Sequence, residues 1–205
     1  NLVLNLAHKT AHCPAFGHLI SLLRSGTIGQ IVDITCSVTT LTTEDSEKLD
    51  SKRWGGSMNE NACFPLLPIF KLLGTDWSNI NFYSIMKNEV DMYTKTVLRY
   101  DHAVASFQVG LGAKSEGNLV ISGTKAYAYV PAPWWKTDYF EIRFEDQNLN
   151  KKYFHLFAGE GLRYEIKDFA ARILGGGYDK LSREEIICMA AVQEQYLNGI
   201  NVFKL

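Results

Sequence analysis

From Asn79 to Phe157 the sequence is a succession of short runs with apolar residues at alternate positions, and this block constrains the fold more than any other feature. Ile80, Phe82 and Met86 open it, followed by the run Tyr93 to Tyr100 and then by Ala103, Ala105, Phe107, Val109 and Leu111. Further strands are expected at Asn118 to Ser122, Tyr127 to Val130, Tyr139 to Phe144 and Lys152 to Phe157. The turns between them are short, which joins strands as antiparallel neighbours. One more strand precedes the block: Val32, Ile34, Cys36 and Val38 alternate with Asp33, Thr35 and Ser37. Asn1 to Leu6 alternates weakly, like the end of a strand arriving from a preceding segment.

Helical spacing flanks this block on both sides. Phe16, Leu19, Ile20 and Leu23 form one stripe, with Pro14 suited to the first turn and Gly26 to a left-handed close. Thr39 to Lys52 is polar, acidic and without period, hence a loop. Met58 to Leu73 predicts a second helix ending at Gly74, although Pro65 and Pro68 each remove a backbone donor and should bend it or delay its start. Leu162, Ile166, Phe169, Ala170, Ile173 and Leu174 give another stripe, stopped by Gly175 to Gly177. Ser182 and Glu185 form a capping box for a last helix running to about Gly199. Roughly seven or eight strands in one block with helices at both ends predict an α+β fold: an open, mostly antiparallel sheet covered by helices on one face. The sheet reads as aromatic on both sides, so its second face is expected to meet another subunit.

The 205 residues suffice for one domain, 1–205, with its own core. A net charge of −1 offers no basis for binding nucleic acid or an anionic membrane. No apolar run approaches the ~18 to 20 residues of a bilayer span. The start shows neither an initiator Met nor a signal-peptide pattern, as expected of an excised fragment. Cys13, Cys36, Cys63 and Cys188 are far apart, without the local spacing of zinc or redox motifs, and suit reduced thiols in a cytoplasmic protein. His8 and His12 are four apart, but Pro14 puts the expected helix start beyond them and no third ligand is evident, so no metal is expected.

Four stretches together resemble one known domain. Pro14 to Ile34 reads P-x-x-x-x-L-x-x-L-L-x-x-G-x-I-G-x-I-x-x-I; Trp54 to Leu66 carries the glycine pair Gly55-Gly56 ahead of a helix that ends in Leu72-Leu73-Gly74. Ile121-Ser122-Gly123-Thr124-Lys125-Ala126 precedes Pro131 to Trp135, and Phe157 to Phe169 contains G-x-G-x-x-Y-E-I-x-x-F. In order and spacing they are similar to the C-terminal domain of the glucose-fructose oxidoreductase and inositol dehydrogenase superfamily. The resemblance implies a missing partner, an N-terminal Rossmann domain with a G-x-G-x-x-G turn and a catalytic Lys-Pro lysine. It implies NAD or NADP as cofactor of the full-length protein, with none expected for this chain alone.

It also implies a site. In the family, the helix after the glycine pair presents an Asp and, four residues on, a His or Tyr; the matching positions are Glu60 and Phe64. Glu60 is the candidate catalytic carboxylate, the other reading being a charge that complements the helix dipole. Phe64 can neither give nor take a proton. Ala11 stands where many relatives have Arg, and Ala126 replaces the last glycine of the G-T-x-G turn. Arg53 and Trp54, on the loop before the helix, and Trp135 are candidate substrate contacts, against a solvated rim charge and burial respectively. Two functions follow. One is the substrate-side and oligomerisation domain of an NAD(P)-dependent oxidoreductase acting on a sugar or polyol-like small molecule; the other is a non-catalytic dimerisation or binding module that keeps the fold.

Overall fold

The computed structural model describes residues 3–205. Its sheet has nine strands: β1 (Ile31–Thr39), β2 (Asn79–Lys87), β3 (Val90–Arg99), β4 (Val104–Gly110), β5 (Leu119–Gly123), β6 (Ala126–Val130), β7 (Tyr139–Phe144), β8 (Lys151–Phe154) and β9 (Val202–Lys204). In space they run β8-β7-β6-β5-β1-β4-β3-β2-β9. Only β1 with β4 and β2 with β9 are parallel; the other six neighbours are antiparallel. The expected α+β, mostly antiparallel sheet is therefore the one observed.

Period-two burial sorts the strands into two faces. Ile34, Cys36, Ala105, Phe107, Leu119, Ile121, Ala128, Phe140 and Ile142 are fully buried on the inner face. Against that face lie α2 (Pro14–Arg24), α3 (Ser57–Asn61), α4 (Cys63–Leu73) and α6 (Arg183–Leu197). The outer face is uncovered: Tyr83, Ile85, Val104 and Tyr127 are 37–50% exposed. Two turns lock β1 beside β5. Thr124 N–H donates to Gln30 O and Lys125 N–H to Ile28 O, at 3.0 and 2.9 Å. The approach is so close that a Cβ on Gly123 would sit 2.3 Å from Ile28 O, which is why that position is glycine.

The remaining helices form an outer layer. The short α1 (Lys9–His12) packs on α5 (Leu162–Ile173). Several expectations need correction. Residues 3–6 form no strand, and Asn1 and Leu2 lie outside the described residues. His12 is inside α1 and His8 is its N-cap, so a helical turn begins before Pro14, not after it. The strand block gains a ninth member, β9, whose three residues are too short to show a period. β8 stops at Phe154 and α6 at Leu197. The helix expected over Met58 to Leu73 is two, parted at Ala62, because Pro65 has no N–H to give to the carbonyl of Asn61 four residues earlier. Other local signals hold. Gly26 closes α2 with φ 82°, and Ser182 and Glu185 make the capping box of α6.

Candidate functional site

The loop that leads into α3 folds as two single turns, Glu47–Leu49 and Ser51–Arg53. Trp54 then takes a left-handed conformation, φ 59°, and turns the chain into Gly55-Gly56. Gly56 has φ 122°, and a Cβ there would meet Asp91 Oδ1 at 2.4 Å. That contact fixes α3. Asp91 Oδ2 accepts from Met58 N–H at 3.0 Å and from Thr94 Oγ1 at 2.7 Å. Ser57 Oγ donates to Asp91 O at 2.9 Å and accepts from Leu111 N–H at 3.1 Å. Burial outweighs these hydrogen bonds and pushes the Asp91 carboxyl up to about 6. Asp91 was not evident in the sequence as an anchor; nothing in a strand's alternation marks which carboxylate meets a helix 33 residues earlier.

Three of the candidate residues share the rim this creates. Glu60 pairs with Lys48 at 3.2 Å, with both side chains substantially exposed (34% and 55%). Arg53 pairs with Glu47, and lies 3.8 Å from Asp50. Trp54 is 70% exposed, and its carbonyl accepts from Asn59 Nδ2 at 2.9 Å. Exposed pairs of this kind are worth at most about 1 kcal/mol, so Glu60 and Arg53 can exchange partners at little cost. An exposed indole on a loop that also carries charged side chains is suited to a polyhydroxylated ring, which offers hydroxyls at its edge and C–H groups on its face.

Phe64 and Trp135 are instead tied to the segment before α2. Phe64, half-buried in the first turn of α4, meets the His8 ring edge-on at 5.1 Å between centroids. His8 Nε2 lies 3.1 Å from Cys63 O, and a carbonyl can only accept, so the proton is on Nε2. Nδ1 is buried without a partner among the described residues, and burial lowers the pKa of the ring. Trp135 is half-buried; its carbonyl accepts from Thr10 Oγ1 at 2.8 Å and its ring lies against Gly117. The neighbouring Trp134 is fully buried and donates from its indole to Ser37 O at 2.9 Å. Residues 8–10 thus bridge Phe64 and Trp135, a role the sequence reading did not give them.

His8 and His12 point to different partners. His12 Nδ1 is 2.9 Å from Asp168 Oδ2 on α5. Among the described residues no three His, Cys, Asp or Glu side chains converge as a metal site would require. A cleft of about 720 Å³ lies beside His12, lined also by Phe16, Lys71, Tyr164, Asp168 and Lys180, away from Glu60. Tyr164 closes the turn ahead of α5, accepting from Ala158 N–H and donating to Leu156 O.

Two glycine clusters, Gly110-Leu111-Gly112 and Gly175 to Gly177, do not fit a dinucleotide pyrophosphate. Such a cradle needs a strand, a tight glycine turn and a helix N-terminus in succession. Gly110 ends β4, which leads through an irregular stretch to another strand, and Gly175 follows the end of α5 with φ 79°. No step involving the cofactor can be placed on these residues.

Solved enzymes share this fold. KijD10, a 3-ketoreductase from Actinomadura kijaniata solved in complex with NADP and TDP-benzene, matches 100% of the chain with a TM-score of 0.82 at 16% identity. Levoglucosan dehydrogenase, solved with NADH and levoglucosan, matches 96% with a TM-score of 0.76 at 18% identity. The chain spans 64% and 65% of their respective lengths. The α+β fold implied by the resemblance is the fold that the chain shares with both. No protein-family model and no curated protein sequence matches the chain.

Proposed function

From that shared fold we propose that these residues form the substrate-side and oligomerisation domain of an NAD(P)-dependent oxidoreductase acting on a sugar or polyol-like small molecule. An N-terminal Rossmann domain, on polypeptide ahead of Asn1, supplies the dinucleotide and the catalytic lysine. The observation that carries the reading is a match over 100% and 96% of the chain to two enzymes solved with nicotinamide cofactors, while the chain covers under two thirds of either. Glu60 handles the proton of the reacting hydroxyl, Arg53 and Trp54 form the rim, and Phe64 and Trp135 form the apolar wall. The uncovered outer sheet face joins subunits into a dimer or larger assembly, and light scattering that finds only monomer at high concentration refutes this part. The site has a net balance of charge and no basic track, so the partner is a small molecule and not nucleic acid. Four free thiols suit a reducing, cytoplasmic compartment. Among the described residues no helix is long and apolar enough to cross a membrane.

The test is to assay the natural chain, upstream residues included, against a panel of sugars and polyols by the absorbance of reduced nicotinamide. Glu60→Gln should lower turnover by roughly 10²- to 10⁴-fold, the usual contribution of a general acid or base. One observation favours the second reading, a dimerisation or binding module without chemistry. Phe64 has no group to exchange a proton, and His8 packs on its ring. Binding of the sugar without any turnover in the longer chain supports that module.

A further inference from the structure

Helix α5 presents its apolar stripe to solvent. Leu162, Ile166 and Ile173 are 54%, 57% and 59% exposed, Leu174 beyond its end is 85% exposed, and Glu165 is its one buried residue. Polar latches hold the helix in place. His12 reaches Asp168, Arg172 donates to Leu4 O and Asn5 Oδ1 at 3.2 Å each, and Arg172 pairs with Asp179 at 2.5 Å. The inner side of the helix is thereby fixed, and its aliphatic side is left bare.

A groove of about 290 Å³ runs along this side, between Val3–Asn5 and the first turns of α5 at Glu165, Ile166 and Phe169. Leu4 on its wall is 88% exposed. Within this groove Glu165 is more than nine-tenths buried, and its Oε2 is shielded from solvent with no hydrogen-bond partner among the described residues. Buried carboxylate oxygens are seldom left without a donor, and an aliphatic patch continuous with one is the mark of a surface that is covered in the working protein.

We infer that the bare face of α5 and its groove seat the upstream, nucleotide-binding half of the polypeptide, which donates a hydrogen bond to Glu165 Oε2. This rests on the function proposed above. Two observations select that occupant. The groove is walled by Val3–Asn5, to which an upstream half would be joined most directly, and the chain covers only 64% of the KijD10 chain, which matches 100% of this one. The outer sheet face lies on the opposite side of the inner helices and is built of tyrosines and β-branched residues; it is left for a second copy.

Hydrogen exchange across residues 162–173, measured in the 205-residue chain and in the natural longer chain, tests the assignment, with dinucleotide binding by the longer chain recorded in parallel. The expected result is exchange slowed about tenfold or more in the longer chain, as docking removes local opening. Ile166→Lys in the longer chain should restore much of the fast exchange; because the residue is exposed in the 205-residue chain, the same substitution should leave that chain folded. A longer chain that binds NAD(P) while α5 exchanges as before overturns the docking surface and leaves the proposed function standing. Slowed exchange in a longer chain that binds no dinucleotide overturns the named occupant together with that function. Concentration-dependent slowing in the 205-residue chain itself overturns it in favour of a second copy.

Discussion

Helices α2 and α5 carry the same sequence signal and meet opposite fates. In α2 the stripe Phe16, Leu19, Ile20 and Leu23 is 0–6% exposed beneath the sheet. In α5 the equivalent stripe points outward, and polar links to His12, Leu4 and Asn5 determine where the helix sits. Periodicity states that a helix has an apolar side; it does not state which body that side meets. In α5 the stripe is left bare, whereas in α2 it is part of the hydrophobic core.

The contrast can be broken by substitution. Leu19→Ala, which opens a cavity under α2, should cost about 2–5 kcal/mol of unfolding free energy in urea titrations. An equal and small loss at Leu19 and Ile166 would erase the distinction between the helices. A second experiment asks what a carboxylate anchor does once it is sealed in the core, as Asp91 is at 3% exposure. Its folded value of about 6 lies above the ordinary 3.8, so the folded chain holds the proton more tightly than the unfolded one. Stability contributed by this group is thus present below pH 4 and declines as pH rises to about 6, by on the order of 3 kcal/mol. Asp91→Asn should abolish that decline, so the difference between the wild-type and variant stability–pH curves should change by that amount between pH 4 and 6; parallel curves contradict it. The smallest effect is expected at the bare helix. Ile166→Ala should change the stability of the 205-residue chain by no more than about 0.5 kcal/mol.

Most of the architecture was legible because its signals are local. Alternation at Tyr139–Phe144 and the Ser182–Glu185 box lie in the sequence where they lie in the structure. The strand β9 was not, since three residues beside β2 have no period of their own. The split at Ala62 was half legible: two prolines foretold a disturbance, but its position follows from which carbonyl Pro65 leaves unpaired. The site was legible only as positions. Sequence placed Arg53, Trp54 and Glu60 on one loop and helix start, but not the Lys48 and Glu47 partners that hold two of them. It offered no hint of His8 against Phe64 or Asp91 under α3, because both contacts join residues more than 30 apart through the fold.

Among the described residues no strand, tight glycine turn and helix N-terminus come in direct succession to seat a pyrophosphate. Calorimetric titration of NAD(H) and NADP(H) into the isolated chain addresses this directly. No measurable heat of binding is the result predicted; saturable binding in the low-micromolar range would contradict it.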